Sequence, residues 1–169
     1  MHSAQDLNNK EKMKPLYEAC QSGNLKQLEI ALLKGADPTA HDNYALRVAA
    51  YYGHLDVVNR LLDIDGIDPT ALDNYALRMA AENGHLDVVN RLLEVKGVDP
   101  TANNNYALRW AAENGHLDVV NRLLDTDGVD PMALDNYALG MAAANGHLDV
   151  VNRLLDIEGV DPTADDNFA

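Results

Sequence analysis

Histidine recurs at a fixed interval along this chain, with His54, His85, His116 and His147 standing 31 residues apart. Imidazole is a common metal ligand, so a histidine ladder is the first candidate chemistry. A metal needs its nitrogens about 2 Å away, whereas packed helices lie about 8–10 Å apart, so histidines from successive copies do not converge on one ion. They read instead as polar contacts at a turn between helices. The acidic turns DIDGID (Asp63 to Asp68) and DTDGVD (Asp125 to Asp130) faintly resemble calcium loops. They lack the run of oxygen ligands and the terminal bidentate Glu, and Glu94-Val95-Lys96 puts a cation inside the equivalent turn, so solvated turn acids are the reading. Cys20, the single cysteine, sits at an alanine position of a helix and can form no internal disulfide, which points to a reducing compartment. No Gly-rich phosphate loop and no Ser/His/Asp set stands apart from the repetition. The expectation is a non-enzyme with no catalytic residue, no metal and no cofactor.

The elements that carry these residues are themselves repeated. Tyr44, Tyr75, Tyr106 and Tyr137 each stand in the phrase NYAL, and Phe168 begins it again; Gly53, Gly84, Gly115 and Gly146 keep the same spacing, as do Pro69, Pro100, Pro131 and Pro162. In the copy that starts at Asn74, Asp73 or Asn74 is expected to supply an N-cap oxygen to a helix over Tyr75 to Asn83 (YALRMAAEN). Gly84 ends it by taking the left-handed conformation without a Cβ penalty. Leu86 to Val95 forms a second helix with Leu86, Val89, Leu92 and Leu93 on one face, and Asp87 is expected to pair at i,i+4 with Arg91. Gly97, Pro100 and Asn103 to Asn105 then carry the chain outward. Helices this short do not persist alone in water, so the hairpins must stack. The pairs Ala49-Ala50, Ala80-Ala81, Ala111-Ala112 and Ala142-Ala143 allow the inner helices a close approach.

The phrases AAENGHLDVVNRLLE, GHLDVVNRLL and GADPT resemble the ankyrin repeat, and the resemblance covers Pro15 to Ala169. It implies an all-α fold: an ankyrin-repeat solenoid of five stacked helical hairpins with short outward loops. A polar N-terminal extension (1–14) precedes units at about 15–42, 43–73, 74–104, 105–135 and 136–166, and 167–169 start a further incomplete unit. The usual TPLH tetrapeptide is replaced by YALR, so Tyr and Arg must take over the ties that Thr and His normally make between units. The 31-residue period, against the usual 33, implies shortened fingers without regular β-pairing.

The five Lys and five acidic residues of positions 1–40 cancel, leaving eight basic and 22 acidic residues in 41–169 to produce the net charge of -14. A field this negative repels phosphate backbones and anionic lipid, so neither nucleic acid nor a membrane is expected as a partner. With no signal peptide and no membrane-spanning run, the expected location is cytoplasmic, and the resemblance to long arrays of intracellular bacteria and large viruses leaves delivery into a host cell open. The expected function is binding of another protein, with a basic or mixed surface, through the concave face and loop tips. Its candidate residues are those that vary, or flank variation, within the constant frame: Tyr51, Tyr52, Glu82, Asn83, Glu113, Asn114 and Asn145 after the alanine pair, Trp110 before it, and Arg47, Arg78 and Arg109, a row that Gly140 breaks. The alternatives are self-association through the C-terminal face, a repeat arm of a larger polypeptide, and a calcium-responsive solenoid.

Overall fold

The computed structural model describes residues 4–163. Among the described residues it contains ten helices and no strand: α1 (Ala4–Ser22), α2 (Leu25–Leu33), α3 (Ala40–Tyr51), α4 (Leu55–Leu62), α5 (Ala71–Glu82), α6 (Leu86–Leu93), α7 (Ala102–Glu113), α8 (Leu117–Leu124), α9 (Ala133–Ala144) and α10 (Leu148–Leu155). Consecutive helices pair as five hairpins. The odd-numbered helices stack against one another in one layer and the even-numbered helices in a second. This is the all-α stacked solenoid expected from the repetition.

The packing follows from the residue types. Each of α4, α6, α8 and α10 reads LDVVNRLL, and its first valine and its penultimate leucine are fully buried in every copy. The alanine pairs of α3, α5 and α7 are also fully buried, whereas in α9 only Ala142 is, because no described unit covers Ala143. Removal of these apolar faces from water holds together helices that are individually too short to persist. The turn glycines are fixed by two constraints at once. Gly53 and Gly84 hold φ of 73° and 72°, and a Cβ on either would come within 2.5 Å of the imidazole of the next unit's histidine. A side chain at those positions would meet both the left-handed strain and the ring.

Three local features differ from the sequence expectation. First, α1 begins at Ala4 and runs through Pro15, continuous with the stretch read as a polar extension; Met13 and Leu16 are buried on either side of the proline, so burial outweighs the proline's low helix propensity. Second, each later inner helix is kinked near its start by three residues in the left-handed region, His41–Asn43, Leu72–Asn74, Asn103–Asn105 and Leu134–Asn136, with φ between 53° and 61°. Asn and Asp tolerate this conformation, while Leu72 and Leu134 accept a steric cost of about 1–2 kcal/mol each. Neither Asp73 nor Asn74 caps the helix that follows it. Asn74 is buried, and its Oδ1 accepts from the backbone N–H of Asp99, in the finger that closes the same unit, at 2.9 Å. Third, Arg91 does not pair with Asp87; its Nε donates to Asn59 Oδ1 of the preceding unit at 2.8 Å, because stacking brings that oxygen alongside a half-buried guanidinium. Asn167, Phe168 and Ala169, expected to start another unit, lie outside the described residues.

Candidate functional site

Four ladders of polar groups run along the array, the first within units and the others between them, and they decide which side chains remain available to a partner. The first runs through the left-handed turns. Asn43, Asn74 and Asn105 accept through Oδ1 from the backbone N–H groups of Asp68, Asp99 and Asp130, each at 2.9 Å. In the finger, Asp68 Oδ1 in turn accepts from the N–H and hydroxyl of Thr70, and Asp99 does the same with Thr101. At the end of the array the same two bonds from Thr163 hold the Asp161 carboxyl below the usual carboxylate range.

The second ladder is histidine. Nε2 of His54, His85 and His116 lies 2.9–3.0 Å from the carbonyl oxygens of Gln21, Tyr51 and Glu82. A carbonyl only accepts, so each imidazole carries its proton on Nε2 and donates it. Among the described residues, no three His, Cys, Asp or Glu side chains gather where one metal ion could bind them. In the third ladder, on the outer helices, Arg60 reaches Glu29, while Arg91, Arg122 and Arg153 donate through Nε to Asn59, Asn90 and Asn121 at 2.7–2.8 Å.

The fourth ladder uses Tyr and Arg. The Arg47 guanidinium carbon lies 5.2 Å from the ring centroids of both Tyr44 and Tyr75; Arg78 lies between Tyr75 and Tyr106, and Arg109 between Tyr106 and Tyr137, all within 5.7 Å. These are cation–π distances, each worth about 0.5–2 kcal/mol depending on desolvation. The tyrosine hydroxyls add bonds, Tyr106 donating to Glu82 at 3.2 Å and Tyr137 to Glu113 at 3.3 Å. Burial, reinforced by the Glu82 carboxylate, pushes the Tyr106 phenol up to about 12. Tyr137 is raised by burial and Glu113 in the same way.

Against this framework the candidate residues separate. Arg47, Arg78 and Arg109 are half-buried and hold the units together. Glu82 and Glu113 receive the tyrosine hydroxyls, and their carbonyls accept from His116 and Asn145 respectively. Asn83 and Asn114 turn their amides back onto the carbonyls of Met79 and Trp110, and Trp110 stacks on Tyr106 with centroids 5.3 Å apart. Asn145 is exposed, and its amide bridges the carbonyls of Glu113 and Met141. Tyr51 and Tyr52 stand apart, exposed at 43% and 42%, in edge-to-face contact with centroids 4.9 Å apart. Gln21 donates to the Tyr52 hydroxyl at 3.1 Å. Tyr51 occupies the place of Glu82 and Glu113 in the following units. With Tyr44, Arg47, Val48, Tyr52 and Tyr75 it lines an open cleft of about 250 Å³.

Sequence reasoning named the Tyr and Arg substitution but not the asparagine ladder or the outer Arg–Asn ladder. Their only signal is that the Asn before each repeated Tyr, and the Asn before each repeated outer-helix Arg, never change.

The family model described as ankyrin repeats (3 copies) matches residues 1–73 and again 74–166. The chain is an ankyrin-repeat protein. A search of the curated proteins returns no match. Ankyrin repeats generally mediate protein–protein interaction, and the family is typically a non-enzymatic scaffold. Among the described residues, no helix of this ankyrin array is long and apolar enough to cross a membrane. Buried Cys20, whose thiol burial pushes up to about 12, takes the place of a small core side chain.

Proposed function

We propose that this ankyrin array is a non-enzymatic module that binds another protein of basic or mixed surface, with Tyr51 and Tyr52 as the anchor of the contact. The observation that carries this reading is the exposed tyrosine pair beside the cleft, at positions where the next units place Glu and Asn within the framework. Aromatic rings with a polar tip combine large contact area with little side-chain entropy to lose, which is why they dominate interface energetics. The polar surroundings at Glu82, Asn83, Trp110, Glu113, Asn114 and Asn145, together with the exposed edges of Arg47, Arg78 and Arg109, form the rest of the proposed face. The acidic array accelerates encounter with a cationic surface and makes association salt-sensitive.

The test is to capture a partner from lysate, purify it, and measure its affinity for the wild type and for the Tyr51→Ala/Tyr52→Ala double variant. Truncating hot-spot aromatics costs about 2 kcal/mol or more, so binding is expected to weaken at least about 30-fold with little change in melting temperature. A large fall in melting temperature would instead make the tyrosines packing residues. Self-association through the C-terminal face is excluded by a monomer mass that stays constant with concentration in light scattering. The calcium-responsive alternative is excluded by a melting temperature indifferent to millimolar calcium.

A further inference from the structure

The Tyr–Arg ladder has one step that the sequence omits. In the second, third and fourth units the arginine that stacks on two tyrosines also donates to backbone carbonyls of its own left-handed turn: Arg47 to Asp42 and His41, Arg78 to Leu72, and Arg109 to Asn104 and Asn103, at 2.9–3.1 Å. The fifth unit keeps the same turn at Leu134–Asn136 and the same tyrosine, Tyr137, which has Arg109 against it at 5.0 Å. At the arginine position it has Gly140. Among the described residues, no guanidinium therefore reaches the Leu134 and Asp135 carbonyls or supplies the second cation at Tyr137.

A cavity of about 420 Å³ opens beside that turn, its lining including Asp135, Asn136, Gly140, Val151, Leu155 and Asp161, with Leu134 and Tyr137 adjoining the lining residues in the chain. Asn136 points to what belongs there. It is only 9% exposed, and its Oδ1 has no hydrogen-bond partner among the described residues. The equivalent oxygens of Asn43, Asn74 and Asn105 are all satisfied from the next finger, whereas Asn136 only donates, weakly, through Nδ2 to the Asp161 carbonyl at 3.4 Å. A buried carbonyl-type oxygen without a donor costs free energy that a matching donor recovers.

We propose that the Gly140 cavity is a binding site for the guanidinium of an arginine side chain presented by a partner protein. The three units that have the arginine show the arrangement such a group adopts in this fold, over a tyrosine ring and donating to the carbonyls of the left-handed turn. Guanidinium is planar and carries five donors, enough to stack on Tyr137 while serving the Leu134 and Asp135 carbonyls and Asn136 Oδ1; an ammonium is a compact, strongly hydrated point charge that does not stack in this way. Asp135 and Asp161 supply opposite charge at the cavity, and the 22 acidic against eight basic residues of 41–169 add to it. The site lies three units from the Tyr51–Tyr52 pair, so it stands or falls independently of that proposed contact.

The probe is an acetylated and amidated Gly-Arg-Gly peptide, titrated against the full chain by NMR beside the same peptide with lysine or citrulline in place of arginine. The expected result is saturable shifts at the Gly140 amide and the Tyr137 ring, with lysine and citrulline peptides at least about tenfold weaker, the ratio that 1.4 kcal/mol represents. Gly140→Arg supplies the guanidinium from within the chain, so it should abolish the peptide shifts and raise the melting temperature. Asp135→Asn, which leaves the backbone acceptors in place, should weaken arginine binding severalfold and keeps the test decisive if the first variant folds poorly. Equal response to lysine or citrulline, shifts spread over the acidic surface, undiminished binding by Gly140→Arg, or Gly140 shifts on dilution of the protein alone would each overturn the proposal, the last by assigning the cavity to a second copy.

Discussion

Tyr106 shows how one side chain is shaped by its neighbour's unit. Its ring is held between Arg78 and Arg109, and its hydroxyl donates to Glu82, so ionising it would place two negative charges together in a half-buried site. The folded-state phenol titrates near 12 instead of the ordinary 10. A raised acid pKa means that folding favours the neutral phenol. The stabilisation is therefore complete below pH 10, where the unfolded phenol is also neutral, and is lost progressively as the pH rises through 12. Denaturant unfolding across this window is expected to show stability falling with pH, and Tyr106→Phe should flatten that slope. An unchanged slope in the variant would mean that other groups govern alkaline unfolding. Glu82 and Trp110 gain their structural roles from this same tyrosine, which their positions in the sequence did not reveal.

At the level of elements, each of the first four hairpins is set by a glycine that the next hairpin also uses. Gly84 ends α5 at φ 72° and lies beneath the His116 ring, which donates to the Glu82 carbonyl. Gly84→Ala adds both the left-handed penalty of about 1–2 kcal/mol and a collision with the imidazole. Combining it with His116→Ala removes the collision, so the double variant should be less destabilised than the sum of the two single variants. Additive losses in denaturant unfolding would show that ring and glycine are not coupled. The left-handed turns explain why the inner-helix starts depart from the sequence expectation. An Asn before a helix satisfies the rule for an N-cap, but these Asn side chains are turned to the neighbouring finger, a bond spanning 25 residues. Arg91 follows the same logic, since a local rule pairs it with Asp87 and stacking offers Asn59.

At the scale of the whole array, substantial helix contacts among the described residues run only within a hairpin or between adjacent hairpins. Stability in such an array is approximately the sum of unit terms and nearest-neighbour interface terms. The fifth unit has a partner on one side only among the described residues, and its Ala143 and Leu148 are exposed where their counterparts in the third unit are at least half-buried. Amide hydrogen exchange is therefore expected to be slower in α5 to α8 than in α9 and α10, because a unit packed on one side opens at lower free-energy cost than one packed on both. Uniform protection from α3 to α10 would indicate all-or-none unfolding. The acidic field is likewise a property of the array, arising almost entirely from units that follow a charge-balanced first hairpin.

The repetition by itself determined the architecture: five short hairpins, their glycine turns, their buried Ala, Val and Leu positions, and the absence of a composition suited to nucleic acid. These are legible because helix periodicity and chain reversal are local, set by residues within one turn of each other. Only the tertiary structure decided which polar groups meet. His116 with Glu82, Arg91 with Asn59 and Arg47 with Tyr75 are pairings between stacked units, and Asn74 with Asp99 joins the turn that opens a unit to the finger that closes it. Their partners are fixed by the rise and rotation from one hairpin to the next, a geometry that no single copy of the sequence contains.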